Sequence, residues 1–230
     1  MAWQRHMVEF VRWYESKKGV RHPVGITSEY PGGKNEDLFK GPADWISPNA
    51  EGGYDRDPPP ATGDKVIVAD TDHIFGTGGD RVWVWKSLTR GLNVLLMDPY
   101  DNVWNFPPLP ENQFSQWSEL RRAIGYARIY LRQLDLSTMI PHGELATTHY
   151  CLANPGSGLY LVYTPKREAV EVDATASAGM LQVEWFEPAT GNVIHAADVA
   201  GGKMIRLTAP YNADAVLLLR ASAPTEHKID

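Results

Sequence analysis

The sequence has one cysteine, Cys151, in 230 residues. A lone thiol forms no internal disulfide, and no Cys/His cluster has the spacing of a structural zinc site, so neither a metal nor another cofactor is expected. Basic excess is also missing: 22 Lys and Arg stand against 28 Asp and Glu, a formal net charge of −6. Nothing here would neutralise a phosphate backbone, so nucleic acid is not an expected partner. No run approaches the roughly 20 apolar residues of a membrane span. The N-terminal "MAWQRHMVEFVRWYESKK" lacks the apolar core of a signal peptide. The chain is therefore expected to be soluble, with no membrane partner. Repeats and low-complexity tracts are absent too. What is abundant is apolar and aromatic material, 43% hydrophobic residues with eight Trp, ten Tyr and 17 Pro, enough for a substantial core. Most of the Trp precede residue 118.

Residues 3–16 place Trp3, Met7, Phe10, Val11 and Tyr14 at helical spacing, with Arg5, Glu9, Arg12 and Glu15 largely on the other side. Four apolar runs follow, "HPVGIT", "ADWIS", "KVIVAD" and "GLNVLLMD", and read as buried strands. Between the third and fourth, "GGDRVWVWKSLTRG" predicts a helix that starts near Asp80 and closes at Gly91, so strand, helix and strand make a parallel crossover. "YDRDPPPATGDK" reads as an extended loop. A second strong helix is expected from Ser115, its cap, with Leu120, Ile124, Ala127, Leu131 and Leu134 on one stripe. Beyond residue 145 the periodicity becomes alternating, in "LYLVYT", "AVEVDA", "MLQVEWFE", "NVIHAADV", "MIRLTA" and "AVLLLRA", which predicts an antiparallel β-sandwich. The expected fold class is thus α/β plus all-β, with an α/β domain at 1–144 and a sandwich at 145–230.

Each predicted parallel strand turns polar at its C-terminal end: Thr27, Ser28 and Glu29; Ser47 and Asn49; Asp70, Asp72 and His73; Asp98 and Tyr100. In parallel α/β folds that end collects ligands, because the loops after the strands converge there. Paired carboxylates on such a face suit glycoside hydrolysis, one protonating the leaving oxygen and the other acting as nucleophile or base. Candidates are Glu29, Asp70, Asp72 and Asp98. Blander roles compete: Asp98 before Pro99 readily starts a turn, and Glu29 could simply face solvent. Trp45 and Trp104 could stack on sugar rings, although large aromatics ordinarily pack cores. Trp83 and Trp85 lie two apart on a helix, so one at most could reach a cleft. His6 and His22 read as structural.

The order "WQRHMVEFVRWYE", "HPVGIT", "ADWISP", "DTDHIFGTGGDRVWVWKSLTRGLNVLLMDPY" and "YCLANPGSGLYLVY" resembles the C-terminal half of apiosidase-like, or cellulase-like, glycoside hydrolases over nearly the whole chain. From about residue 148 it resembles the β-sandwich attached to them, labelled a "putative collagen-binding domain of a collagenase". The resemblance implies a (β/α)8 barrel whose strands five to eight are the four runs above, with an oligo- or polysaccharide as partner. Full-length members are expected to be secreted or periplasmic. It places the nucleophile position within Asp70 to His73. Together with the polar ring at the strand ends, this makes Asp72 and Asp70 the expected catalytic residues, with Glu29, Trp45, His73, Asp98, Tyr100 and Trp104 as expected substrate contacts. Strands one to four and the acid/base carboxylate would precede Met1, so the isolated chain is expected to lack glycosidase activity. An inner sheet face of Val24, Ile26, Ile67, Val94 and Leu96 would lie open, to be covered by self-association or a complementary N-terminal half.

A second reading makes the chain a non-catalytic carbohydrate-binding or structural module built on the sandwich. A binding module should expose a flat aromatic platform, whereas the alternation of Trp185 with Glu184 points the indole inward and favours a buttress.

Overall fold

The computed structural model describes residues 2–74, 79–97 and 111–222. Its contacts divide the chain into two units, 1–128 and 129–230. The division falls earlier than the expected 144/145. Residues Ile140–Pro141 already pair with the second unit's sheet, and the Tyr130 ring stacks on Phe186 with centroids 4.3 Å apart.

In the first unit the four apolar runs become β1 (Gly25–Thr27), β2 (Trp45–Ser47), β3 (Val66–Asp70) and β4 (Asn93–Leu95), paired in that order and all parallel. The chain returns between strands through α2 (Asn35–Phe39), the Pro-rich loop and α3 (Arg81–Thr89), after an N-terminal α1 (Ala2–Lys18). Strand order follows chain order without reversal, which is the winding of a barrel wall rather than of a doubly wound sheet. α3 starts as expected: the Asp80 carboxylate accepts the Trp83 N–H at 2.7 Å, and Gly91, at φ 78°, closes the turn after it. The last helix of this part, α4 (Glu111–Leu131), begins four residues before Ser115, which lies inside it rather than capping it.

Strand alternation sorts the sheet into two faces. Ile26, Ile46, Ile67 and Ala69 are buried on one, where the Ile26 side chain lies against Gly41 at the end of the α2 segment. By parity Val24, Val94 and Leu96 belong to this covered face as well. The five residues expected on the open face are therefore on the wrong side, because the register runs one residue out of phase with that expectation. The open face carries Thr27, Val66, Asn93 and Leu95 instead, with Val66 55% and Leu95 46% exposed.

The expected apolar stripe of α1 is only partly buried. Val8 is its buried residue and Met7 and Val11 are half-buried, while Trp3, Phe10, Trp13 and Tyr14 are exposed. Polar side chains share the docking: Arg12 meets the Asp44 carboxylate at 2.9 Å and Glu15 holds the His22 imidazole and backbone N–H. His22 is thus structural.

The second unit is an antiparallel sandwich. β5 (Ile140–Pro141), β6 (Cys151–Asn154), β7 (Leu159–Thr164), β9 (Met180–Phe186), β10 (Val193–Ala200) and β12 (Ala215–Ala221) form one sheet in the order β10-β9-β12-β7-β6-β5. β8 (Ala169–Asp173) and β11 (Met204–Thr208) form the other. The six runs read from alternation are all strands, and β5 and β6 join them. Tyr160, Val162, Leu217 and Trp185 from the large sheet pack with Val170, Val172 and Ile205 from the small one. Burial in this core pushes the Cys151 thiol up to about 12, which keeps it protonated and inert.

Candidate functional site

A cavity of about 730 Å³ opens where β1, β2 and β3 end. Ser28, Glu29, Tyr30, Asn49, Glu51, Asp72 and His73 line it. Three carboxylates, an imidazole, an amide and two hydroxyls therefore converge at the C-terminal edge of the parallel strands. This set can both accept from and donate to a hydroxyl-rich ligand.

β3 delivers its two ionisable groups through a tight turn. The chain leaves Asp70 into a 3₁₀ segment at Thr71–Ile74, and the buried Asp70 carboxylate accepts the Asp72 N–H at 3.0 Å. Asp70 spends its charge on the turn, and Asp72 is presented, exposed, to the cavity. The buried Thr71 hydroxyl accepts the Met97 N–H at 3.0 Å, tying this turn to the end of β4. His73 follows, with Nδ1 2.8 Å from the Ser47 hydroxyl at the end of β2.

The opposite wall hangs on Asn35, the first residue of α2, which is 6% exposed. Its amide nitrogen donates to the carbonyls of Asn49 and Glu51 at 3.1 and 2.8 Å, and its oxygen accepts the Asn49 N–H at 2.9 Å. The Glu51 carboxylate accepts the Asn35 N–H at 2.9 Å and so caps α2, while the Asn49 side chain reaches the Gly33 carbonyl at 2.7 Å. Gly33 lies so close to Glu29 that a Cβ would sit 2.6 Å from the Glu29 nitrogen, so only glycine lets the β1 loop fold here.

Of the residues singled out from sequence, Ser28, Glu29, Asn49, Asp72 and His73 share the cavity. Asp70 does not line it; it shapes the turn instead. Trp45 is not a lining residue either: it faces Gly25 across the β1–β2 pair, where a Cβ would meet its indole at 1.8 Å, so the ring packs on the backbone near the start of the strands. Asp98, Tyr100 and Trp104 lie outside the described residues. Trp83 and Trp85 are both buried, the former donating from Nε1 to the Tyr54 carbonyl at 2.8 Å. Sequence reasoning missed Tyr30, 99% exposed at the mouth, and Glu51. The signal for Tyr30 was its place directly after Glu29; Glu51 had none, because an Asn-Ala-Glu loop carries no period. Among the described residues no cluster of His, Cys, Asp and Glu could hold a metal ion, and no helix is long and apolar enough to cross a membrane.

Comparison with known proteins adds the following. A family described as "Putative collagen-binding domain of a collagenase" matches residues 137–220, that is, the sandwich. No curated protein matches the chain. Among solved structures, a glycoside hydrolase family 5 protein from Bacteroides vulgatus ATCC 8482 is similar at TM-score 0.54 and 13% identity, over 72% of this chain and 43% of that one. A second, a glycoside hydrolase, is similar at TM-score 0.52 and 12% identity, over 85% of this chain and 48% of that one. The chain thus spans less than half the length of either. At such identities the likeness concerns the fold, and the fold it supports is a partial barrel followed by a β-sandwich.

Proposed function

We propose that the first unit carries part of a glycoside hydrolase site and binds an oligo- or polysaccharide in the strand-end cavity. Asp72 is the carboxylate at the glycosidic bond, Glu29, His73 and Asn49 contact sugar hydroxyls, and Tyr30 offers a ring face at the mouth. Asp70 acts through the turn it holds. The observation that carries this reading is the convergence of Glu29, Glu51 and Asp72 in one cavity at the C-terminal edge of parallel strands. The second unit is an accessory module. Its described aromatics, Tyr130, Tyr150, Tyr160, Tyr163, Trp185, Phe186 and Tyr211, are all buried, which leaves no platform for stacking a sugar.

Calorimetric titration of the whole chain with an oligosaccharide panel tests the site. Saturable binding to at least one glycan is expected, weakened by roughly tenfold or more in Asp72→Asn with an unchanged melting temperature. In an active enzyme containing this unit the same change should lower turnover by several orders of magnitude. Glycan binding indifferent to Asp72→Asn would remove Asp72 from the site.

A further inference from the structure

The contact between Ser47 and His73 has a direction that chemistry can assign. A serine hydroxyl carries one hydrogen, and a neutral imidazole carries its hydrogen on either Nδ1 or Nε2. Ser47 is 2% exposed, and among the described residues its Oγ bonds to one group alone, His73 Nδ1 at 2.8 Å. Were Nδ1 to carry the hydrogen, it would donate to Oγ and the Ser47 O–H would be left buried without an acceptor. That loss is large enough to bias the two arrangements by roughly tenfold or more. The favoured arrangement has the hydroxyl donating to a bare Nδ1, which leaves the hydrogen on Nε2.

We propose that Ser47 is a positioning residue that holds His73 in the neutral Nε2–H tautomer, so that His73 meets a cavity ligand as a hydrogen-bond donor. The ligand class rests on the saccharide reading above; the tautomer does not. A donor imidazole beside the acceptor carboxylates of Asp72 and Glu29 matches a neutral polyol, in which one hydroxyl gives its hydrogen to a carboxylate while a neighbouring oxygen accepts from Nε2.

Long-range ¹H–¹⁵N correlation spectra of the ligand-free chain test this, and their outcome is independent of saccharide binding. The wild-type spectrum should show His73 with an unprotonated Nδ1 and a protonated Nε2. In Ser47→Ala the tautomer preference should weaken, with the protonated-Nδ1 form of His73 growing by roughly tenfold relative to wild type, and Ser47→Thr, which keeps the hydroxyl, should restore the wild-type spectrum. A protonated Nδ1 in the wild-type spectrum overturns the proposal even if Ser47→Ala fails to fold. So does a folded Ser47→Ala whose His73 tautomer signals match those of wild type.

Discussion

Replacing Asn35 by alanine removes three hydrogen bonds at once, two donated by its amide nitrogen and one accepted by its oxygen, at a position 6% exposed. At a net value of about 1 kcal/mol each, the loss is about 3 kcal/mol. For a chain of this size 1 kcal/mol moves the melting midpoint by roughly 2–4 °C, so Asn35→Ala should lower it by roughly 6–12 °C. Of the eight tryptophans only Trp185 lies in the second unit, so indole fluorescence follows the unit that contains Asn35. Asn35→Asp sharpens the test. It has nearly the same shape but sets a negative oxygen against the Asn49 and Glu51 carbonyls in place of the donor, so near neutral pH it should be at least as damaging as alanine. Below about pH 4 the introduced carboxyl regains a hydrogen and part of the loss should return. A fluorescence midpoint within about 2 °C of wild type for Asn35→Ala would refute the bond count. A harmless Asn35→Asp would refute the assigned direction of the bonds.

Asp44 is held below the usual carboxylate range by the Val24 N–H first, and then by Arg12 and Arg21. A depressed pKa stabilises the fold at pH values above the unfolded value of about 3.9, and that contribution is lost as pH falls through the folded one. Asp44→Asn should therefore cost about 2 kcal/mol in urea unfolding at pH 7, with little of it from the exposed Arg21. The gap from wild type should close below about pH 4, and a gap that stays constant with pH would contradict the assignment. The exposed aromatics of α1, with Phe10 and Trp13 tilted at a centroid distance of 5.9 Å, and the open Val66 and Leu95 are apolar surface of the kind that associates. Sedimentation velocity should show the chain self-associating and the double change Phe10→Glu with Trp13→Glu reducing it; a monomeric wild type would sink this prediction.

Much of the fold was legible in short windows of sequence. The four apolar runs, the Asp80 cap and Gly91 closure of α3, and the alternation that turns Trp185 inward all depend on backbone preferences and side-chain periods within a few residues. The polar residues after the first three strands mark the edge where the cavity opens for the same reason, since a parallel strand changes from apolar to polar where it leaves the core. Other features depended on groups far apart in the chain meeting. Parity fixed which alternate residues of a strand share a face, but the covered face was decided by where the helices docked, and α1 docked through Val8, Arg12 and Glu15 rather than through its aromatics. Asp70 and Asp72 are equivalent in composition, yet the Asx turn at Asp70 gives one carboxylate to the backbone and the other to the cavity. The Asn35, Asn49 and Glu51 wall and the Ser47–His73 pair join residues 14 to 26 positions apart. Hydrogen bonds between loops carry no period in sequence, so tertiary structure alone decided which polar residues line the cavity.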